Sequence, residues 1–178
     1  LNFIQHLSSI STLTRKYKEK LKKSKTKLLD TRKTTNGLRF LEKYATSIGG
    51  AENHRIGLKD KILIKDNHIK VLGGISKVLK EIKQKKVKEF QIECETFSEV
   101  EKCINQKCNH ILLDNMSIRE IKKCIKLGLN SNKKITFEIS GGINLKNIER
   151  FAFLGADYIS TSKITNSAKT VDIGLDII

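Results

Sequence analysis

The sequence predicts an α/β fold in which parallel strands curve into an incomplete TIM-like barrel of about seven strands, preceded by an amphipathic helix. Three observations predict it. Short apolar runs of strand length alternate with helical patterns of about ten residues, an alternation that demands right-handed crossovers between parallel strands. Strand after strand starts apolar and finishes in residues able to hold a ligand: Arg32 and Lys33, Lys65 and His68, Glu95, Asp114, Ser140 with two glycines, and Ser162. In a parallel barrel all strand C-termini share one rim, where sites are built, whereas an open doubly wound sheet uses only the few strand ends near its switch point.

The elements follow in order. Phe3, Ile4, Leu7, Ile10, Leu13, Tyr17 and Leu21 recur at helical spacing, so residues 1–23 form a leading helix, and 25–178 form the barrel domain. Residues 28–33 make the first strand. A helix opens after Asn36 and Gly37, with Leu38, Leu41, Tyr44 and Ala45 on its apolar face, and ends at Gly49 and Gly50. Residues 51–58 show neither period and read as a loop or short extended piece carrying His54 and Arg55. Residues 61–69 form a second strand and 75–86 a helix. In the third strand, 89–95, Phe90, Ile92 and Cys94 alternate with Gln91, Glu93 and Glu95. A helix over 97–106, a fourth strand over 110–114 and a helix from Ser117, with Glu120 as its capping-box partner, come next. Residues 135–140 form a fifth strand, Asn144 caps a helix reaching Phe153, and 157–162 form a sixth strand. The tail, 171–178, reads as a final short strand or a turn of helix.

Composition narrows the function. The 178 residues suit one domain with a sizeable core. No run is apolar enough to span a membrane, and residues 1–10 lack the features of a signal peptide. The net charge of +16 invites a nucleic-acid reading. The lysines are scattered, however, and aromatics are not interleaved with them as stacking platforms, so the excess reads as solvated surface. Cys94, Cys103, Cys108 and Cys124 lack zinc-site spacing and read as buried, reduced thiols.

The rim divides by charge. Arg32, Lys33, Arg55 and Lys65, with His54 and His68 nearby, gather on one side; so many cations repel one another unless an anionic ligand sits among them. Glu95 and Asp114, on the other side, suit Mg²⁺, ribose hydroxyls or a developing positive charge. Ser140, Gly141 and Gly142, with the loop Thr161, Ser162 and Lys163, form backbone turns at the usual phosphate position of such barrels. The residues alone suggest a phosphorylated sugar beside a second anionic ligand. His110 opens its strand at the far end and reads as structural. Glu93 and Glu138 lie deeper than the rim and read as partners of interior cations such as Lys65.

The motifs Thr31-Arg32-Lys33-Thr34-Thr35, Asn53-His54-Arg55, Lys65-Asp66-Asn67-His68, Leu113-Asp114-Asn115-Met116 and Glu138-x-Ser140-Gly141-Gly142, in this order, resemble the quinolinate phosphoribosyltransferase family, the carboxylating nicotinate-nucleotide pyrophosphorylases. The resemblance covers essentially the whole chain. It implies a seven-stranded barrel, a homodimer with shared sites, a cytoplasmic enzyme, and the reaction of quinolinate with phosphoribosyl pyrophosphate and Mg²⁺. The products would be nicotinate mononucleotide, pyrophosphate and CO₂, a step of NAD biosynthesis. Arg32, His54, Arg55 and Lys65 match the residues on the quinolinate side, with Lys33 reaching phosphate. Glu95 and Asp114 match the carboxylates near ribose and metal; Ser140, Gly141, Gly142, Thr161, Ser162 and Lys163 match the phosphate turns. The chain departs from the family at Asn36, where Pro is usual, and at Ser9 and Ser162, where Gly is usual. The family's N-terminal α/β sandwich domain is not part of the sequence, so the chain by itself is expected to be folded but weakly active. Two other readings are a related barrel of molybdenum-transport operons and a non-catalytic basic binding module; the Lys65-Asp66-Asn67-His68 run favours the quinolinate enzyme.

Overall fold

The computed structural model describes residues 1–131 and 134–177. It begins with the expected amphipathic helix, α1 (Asn2–Leu21), which buries Ile10, Tyr17 and Leu21. Six strands follow: β1 (Lys27–Leu29), β2 (Ile62–Ile64), β3 (Phe90–Cys94), β4 (His110–Asp114), β5 (Thr136–Ser140) and β6 (Tyr158–Ser160). They pair in parallel in one sheet, in the order β1-β6-β5-β4-β3-β2. That is the strand order of a parallel barrel opened between β1 and β2.

The opening is partly filled by the segment that shows no clean period in the sequence. Glu52 bridges to Leu29 in parallel, donating its N–H to the Leu28 carbonyl at 2.8 Å and accepting from the Asp30 N–H at 3.2 Å. A stub of strand thus stands where a closed barrel has a further strand. The final strand or helical turn expected over 171–178 does not form. Residues 171–177 carry no regular structure, and Ile178 lies outside the described residues.

The intervening helices are α2 (Arg39–Ile48), α3 (Asp66–Val71), α4 (Ile75–Gln84), α5 (Phe97–Asn105), α6 (Ile118–Leu129), α7 (Glu149–Ala152) and α8 (Lys163–Asn166). Strand pleating sorts side chains into two layers. Leu28, Ile64, Ile92, Cys94, Ile111, Leu113, Phe137, Ile139 and Ile159 face the helices and make the main core with Val78, Val100, Ile121 and Ile125. The opposite parity, which includes Gln91, Glu93, Leu112 and Glu138, faces the barrel interior and is largely polar. Ser117 and Glu120 form the predicted capping box, each side chain meeting the other's backbone N–H.

Several elements end earlier than the sequence suggests. β1 stops at Leu29 because the Asp30 carboxylate turns into a buried polar network instead of continuing the ladder. β2 stops at Ile64 because His68 Nδ1 accepts the Lys65 N–H at 2.9 Å and starts α3. His68 therefore faces away from the rim as a capping group. After Gly142, Asn144 Oδ1 accepts the N–H groups of Lys146 and Asn147, but the segment makes a turn before the single turn of α7.

α2 inverts the expected amphipathicity. It buries Glu42, Lys43, Ala45 and Thr46, while Phe40 is 74% exposed, Tyr44 64% and Leu41 42%. Hydrophobic periodicity identifies a buried face only when that face meets an apolar layer. The inward face of α2 meets a carboxylate, an imidazole and backbone N–H groups instead. The end of α2 also lies tightly against α1. A Cβ added at Gly49 would stand 2.5 Å from Thr14 Cβ and 2.6 Å from the Ser11 carbonyl oxygen. Gly49→Ala is expected to destabilise the fold by about 1–3 kcal/mol through overpacking, read as a lower denaturation midpoint. An unchanged midpoint would mean the two helices separate freely.

Candidate functional site

The C-terminal ends of the strands enclose a cavity of about 490 Å³. One wall is cationic. Arg32 and Lys33 enter from the loop after β1, His54 and Arg55 from the segment that bridges β1, and Lys65 from the end of β2. The buried Nε of Arg32 has no hydrogen-bond partner. Burial, and then the neighbouring Arg32 charge, push the Arg55 guanidinium below its ordinary pKa. Two guanidiniums in such proximity favour an anion between them. Arg55 Nη1 donates to the Lys61 carbonyl at 2.9 Å, which anchors the side chain from below.

His54 links this wall to the barrel interior. Its Nδ1 accepts the Arg55 N–H at 2.9 Å, which leaves the ring proton on Nε2, 3.4 Å from Glu138 Oε2. Gln91 donates to the same Glu138 oxygen at 2.7 Å. Burial raises the Glu138 pKa, but the hydrogen bond and charge of His54, with further hydrogen bonds, outweigh it and hold the carboxyl below its usual value.

The second wall is acidic. Asp114, at the end of β4, lines the cavity, and its Oδ2 accepts from Asn115 Nδ2 at 2.7 Å. Glu93 lines it too and meets Lys65 Nζ at 3.1 Å. Glu95 does not line it; it lies beyond the end of β3, exposed. Both glutamates share one strand parity, and only the one inside the strand reaches the cavity.

The third wall is backbone-rich. Ser140 ends β5, and Gly141 and Gly142 follow with φ of +88° and +63°. A Cβ at Gly141 would strike the Asn115 side chain. Left-handed φ and this close approach both require glycine there. The register pairs Asp114 with Ser140, so the acidic wall adjoins this turn. Thr161 and Ser162 complete the wall. Ser162 has φ −78°, which needs no glycine, and its Oγ accepts from Asn166 Nδ2 at 3.2 Å. Lys163 is exposed and points outside the cavity.

Of the predicted site residues, then, the cavity gathers Arg32, Lys33, His54, Arg55, Lys65, Asp114, Ser140, Gly141, Gly142, Thr161 and Ser162, and leaves out Glu95 and Lys163. A second cavity, of about 550 Å³, shares His54, Arg55 and Glu138 with the first and extends to strand starts such as Phe90, His110, Thr136 and Tyr158. It is the larger of the two, but catalytic residues of parallel barrels converge at the other face. Among the described residues, no three His, Cys, Asp or Glu side chains converge as a ready metal site. Asp114 and Glu93 can instead supply one or two carboxylates to a Mg²⁺ carried by substrate phosphates, which is how Mg²⁺ is usually held.

The family described as quinolinate phosphoribosyl transferase, C-terminal domain, matches residues 10–176. A probable carboxylating nicotinate-nucleotide pyrophosphorylase of Synechocystis is 39% identical over 180 residues, covering 100% of this chain and 61% of that protein. Its Bacillus subtilis counterpart is 40% identical over 179 residues, covering 99% and 61%. The nicotinate-nucleotide pyrophosphorylase structure from Ehrlichia chaffeensis superposes with a TM-score of 0.93 at 45% identity, over 99% of this chain and 64% of that one. The structure from Francisella tularensis gives 0.87 at 41%, over 97% and 61%. The chain thus spans about three-fifths of the length of the relatives it matches.

Proposed function

This chain belongs to the quinolinate phosphoribosyltransferase family, and from that membership we propose that its barrel carries the transfer of phosphoribose from phosphoribosyl pyrophosphate to quinolinate. Decarboxylation then gives nicotinate mononucleotide, pyrophosphate and CO₂. The observation that carries the reading is one cavity with a cationic wall, an acidic wall and a glycine turn in contact with one another.

Each wall has a task. Arg32, Arg55 and Lys65 hold the two carboxylates of quinolinate and aim its ring nitrogen at the anomeric carbon, while His54, tied to Glu138 and the Arg55 N–H, fixes the wall beside them. Lys33 and the backbone of Gly141, Gly142 and Thr161 hold phosphate groups. As pyrophosphate departs, positive charge develops on the ribose, and the Asp114 carboxylate stabilises it. Glu93, paired with Lys65, is the glutamate of β3 that lines the cavity, which supports a role for it toward the ribose hydroxyls beside the one expected of Glu95. Asp114 would hold a Mg²⁺ carried by the substrate phosphates, and the ion would supply charge that offsets the leaving pyrophosphate. The new C–N bond makes the pyridine nitrogen quaternary. The electron pair of the breaking C–CO₂ bond stays on the ring carbon beside that positive nitrogen, and a proton from solvent then bonds to it.

The reading extends to a cytoplasmic homodimer. It is supported by the apolar side chains exposed on neighbouring helices, Phe3 and Ile4 on α1 and Phe40 and Tyr44 on α2. No helix among the described residues is long and apolar enough to cross a membrane.

Titration calorimetry with quinolinate tests the site. Arg55→Ala removes a charge-assisted hydrogen-bonding partner and is expected to weaken binding by about 1.5–3 kcal/mol. That is roughly a tenfold to hundredfold rise in Kd. Equal affinity in variant and parent would remove Arg55 from the site.

A further inference from the structure

The cationic wall is assembled from two separate segments, and one buried carboxylate joins them. Asp30 is fully buried immediately after β1. Its Oδ1 accepts the His54 N–H at 2.7 Å and a bond from Lys43 Nζ. Its Oδ2 accepts from Asn53 Nδ2 at 2.7 Å and from Thr46 Oγ1 at 3.0 Å. Lys43 is itself 2% exposed. Arg32 follows Asp30 by two residues, and Arg55 follows His54 by one. Beside the backbone bonds of Glu52 to Leu28 and Asp30, the spacing of these two segments therefore rests on a carboxylate that lines neither cavity.

The neighbouring residue on α2 acts in the same way. Glu42, fully buried, accepts the Thr35 N–H at 3.1 Å on one oxygen and meets His6 Nε2 at 2.8 Å with the other. It fixes the loop that begins at Arg32. This explains why α2 turns its polar residues inward: the Glu42 and Lys43 side chains hold the loop that carries Arg32, while the Lys43 carbonyl and the Thr46 hydroxyl accept from Asn53 of the other segment.

We propose that Asp30, balanced by Lys43, is a positioning residue that sets the spacing of Arg32 against His54 and Arg55, and so the fit of a planar dicarboxylate between them. The Asp30 side chain bonds neither the glycine turn nor the Thr161 loop; that loop joins the β1 segment through backbone groups, Thr161 N–H donating to the Leu29 carbonyl at 3.2 Å, a bond that loss of the carboxylate leaves in place. The role is specific to one substrate. It rests on the quinolinate reading of the cavity.

The test uses the protein expressed from its complete gene, with the variants Asp30→Asn and the neutral pair Asp30→Asn/Lys43→Met, which leaves no buried charge unpaired if the single variant fails to fold. Ile121→Ala, a truncation in the core on α6, is the control for stability loss. Calorimetry and steady-state kinetics are run against quinolinate and phosphoribosyl pyrophosphate. The expected result is a rise in the quinolinate Kd and KM of about tenfold in the Asp30 variants, with phosphoribosyl pyrophosphate within about twofold and Ile121→Ala near the parent for both. Equal loosening of both substrates, unchanged quinolinate affinity, or loss of fold in both Asp30 variants overturns the inference and leaves the functional reading standing. No quinolinate binding by the parent overturns that reading, and this inference with it.

Discussion

Asp114→Asn is expected to lower kcat about a hundredfold or more, with quinolinate affinity nearly unchanged. The two acidic side chains of the cavity differ in their partners. Glu93 spends its charge on Lys65, 3.1 Å away. Asp114 accepts only a neutral amide, that of Asn115, and its charge is left for the ligand. It sits beside Ser140 at the start of the glycine turn, where ribose and phosphate meet in the proposed complex. Asparagine keeps the volume and removes the charge, so the change falls on the transition state, in which ribose is cationic, rather than on the ground state. Losing one preorganised electrostatic partner of this kind costs about 2.7–4 kcal/mol. The measurement is kcat at saturating substrates beside a calorimetric quinolinate titration. A kcat within twofold of the parent would move the stabilising charge to another residue.

The residues that sequence reads well here are those whose surroundings are conventional. β4 covers the predicted residues because Ile111, Leu112 and Leu113 are a short apolar run between polar flanks. The alternation in β3 holds because one face meets helices and the other meets the barrel interior. The cationic wall is legible because Arg32, Lys33 and Lys65 follow apolar runs at strand ends, where no core would receive them. What escapes is the polar interior. α2 presents Phe40, Leu41 and Tyr44 to solvent because its other face answers Asp30, His6 and the Thr35 N–H. Nothing in a periodicity count shows that a helix is buried against ions. Parity alone cannot tell which of Glu93 and Glu95 lines the cavity, since it assigns both to the inward face; that depends on where the strand stops. The stub of strand at Glu52 is invisible for the same reason, because a single bridge leaves no period.

The buried pair beneath the wall has the larger consequence for stability. Lys43→Met is expected to destabilise the fold by about 3–5 kcal/mol, the usual cost of stranding one charge of a buried pair. Asp30 would keep its bonds from Thr46, Asn53 and the His54 N–H, all from neutral groups, yet carry a full negative charge with no cation beside it. Methionine fills much of the space left by the lysine stem, so lost packing is a minor part of the effect. Removing both charges should cost less than removing one, because burying an ion pair carries a desolvation penalty that a neutral pair escapes. Denaturant melts of Lys43→Met, Asp30→Asn and the double variant form a cycle in which a coupling of about 0.5–3 kcal/mol measures the interaction. Additive losses would show that each residue acts through its other neighbours, and the pair would then be a coincidence of packing. A strong coupling would explain a feature the sequence obscures: the helix keeps its charged face inward because each charge is tolerable only in the presence of the other.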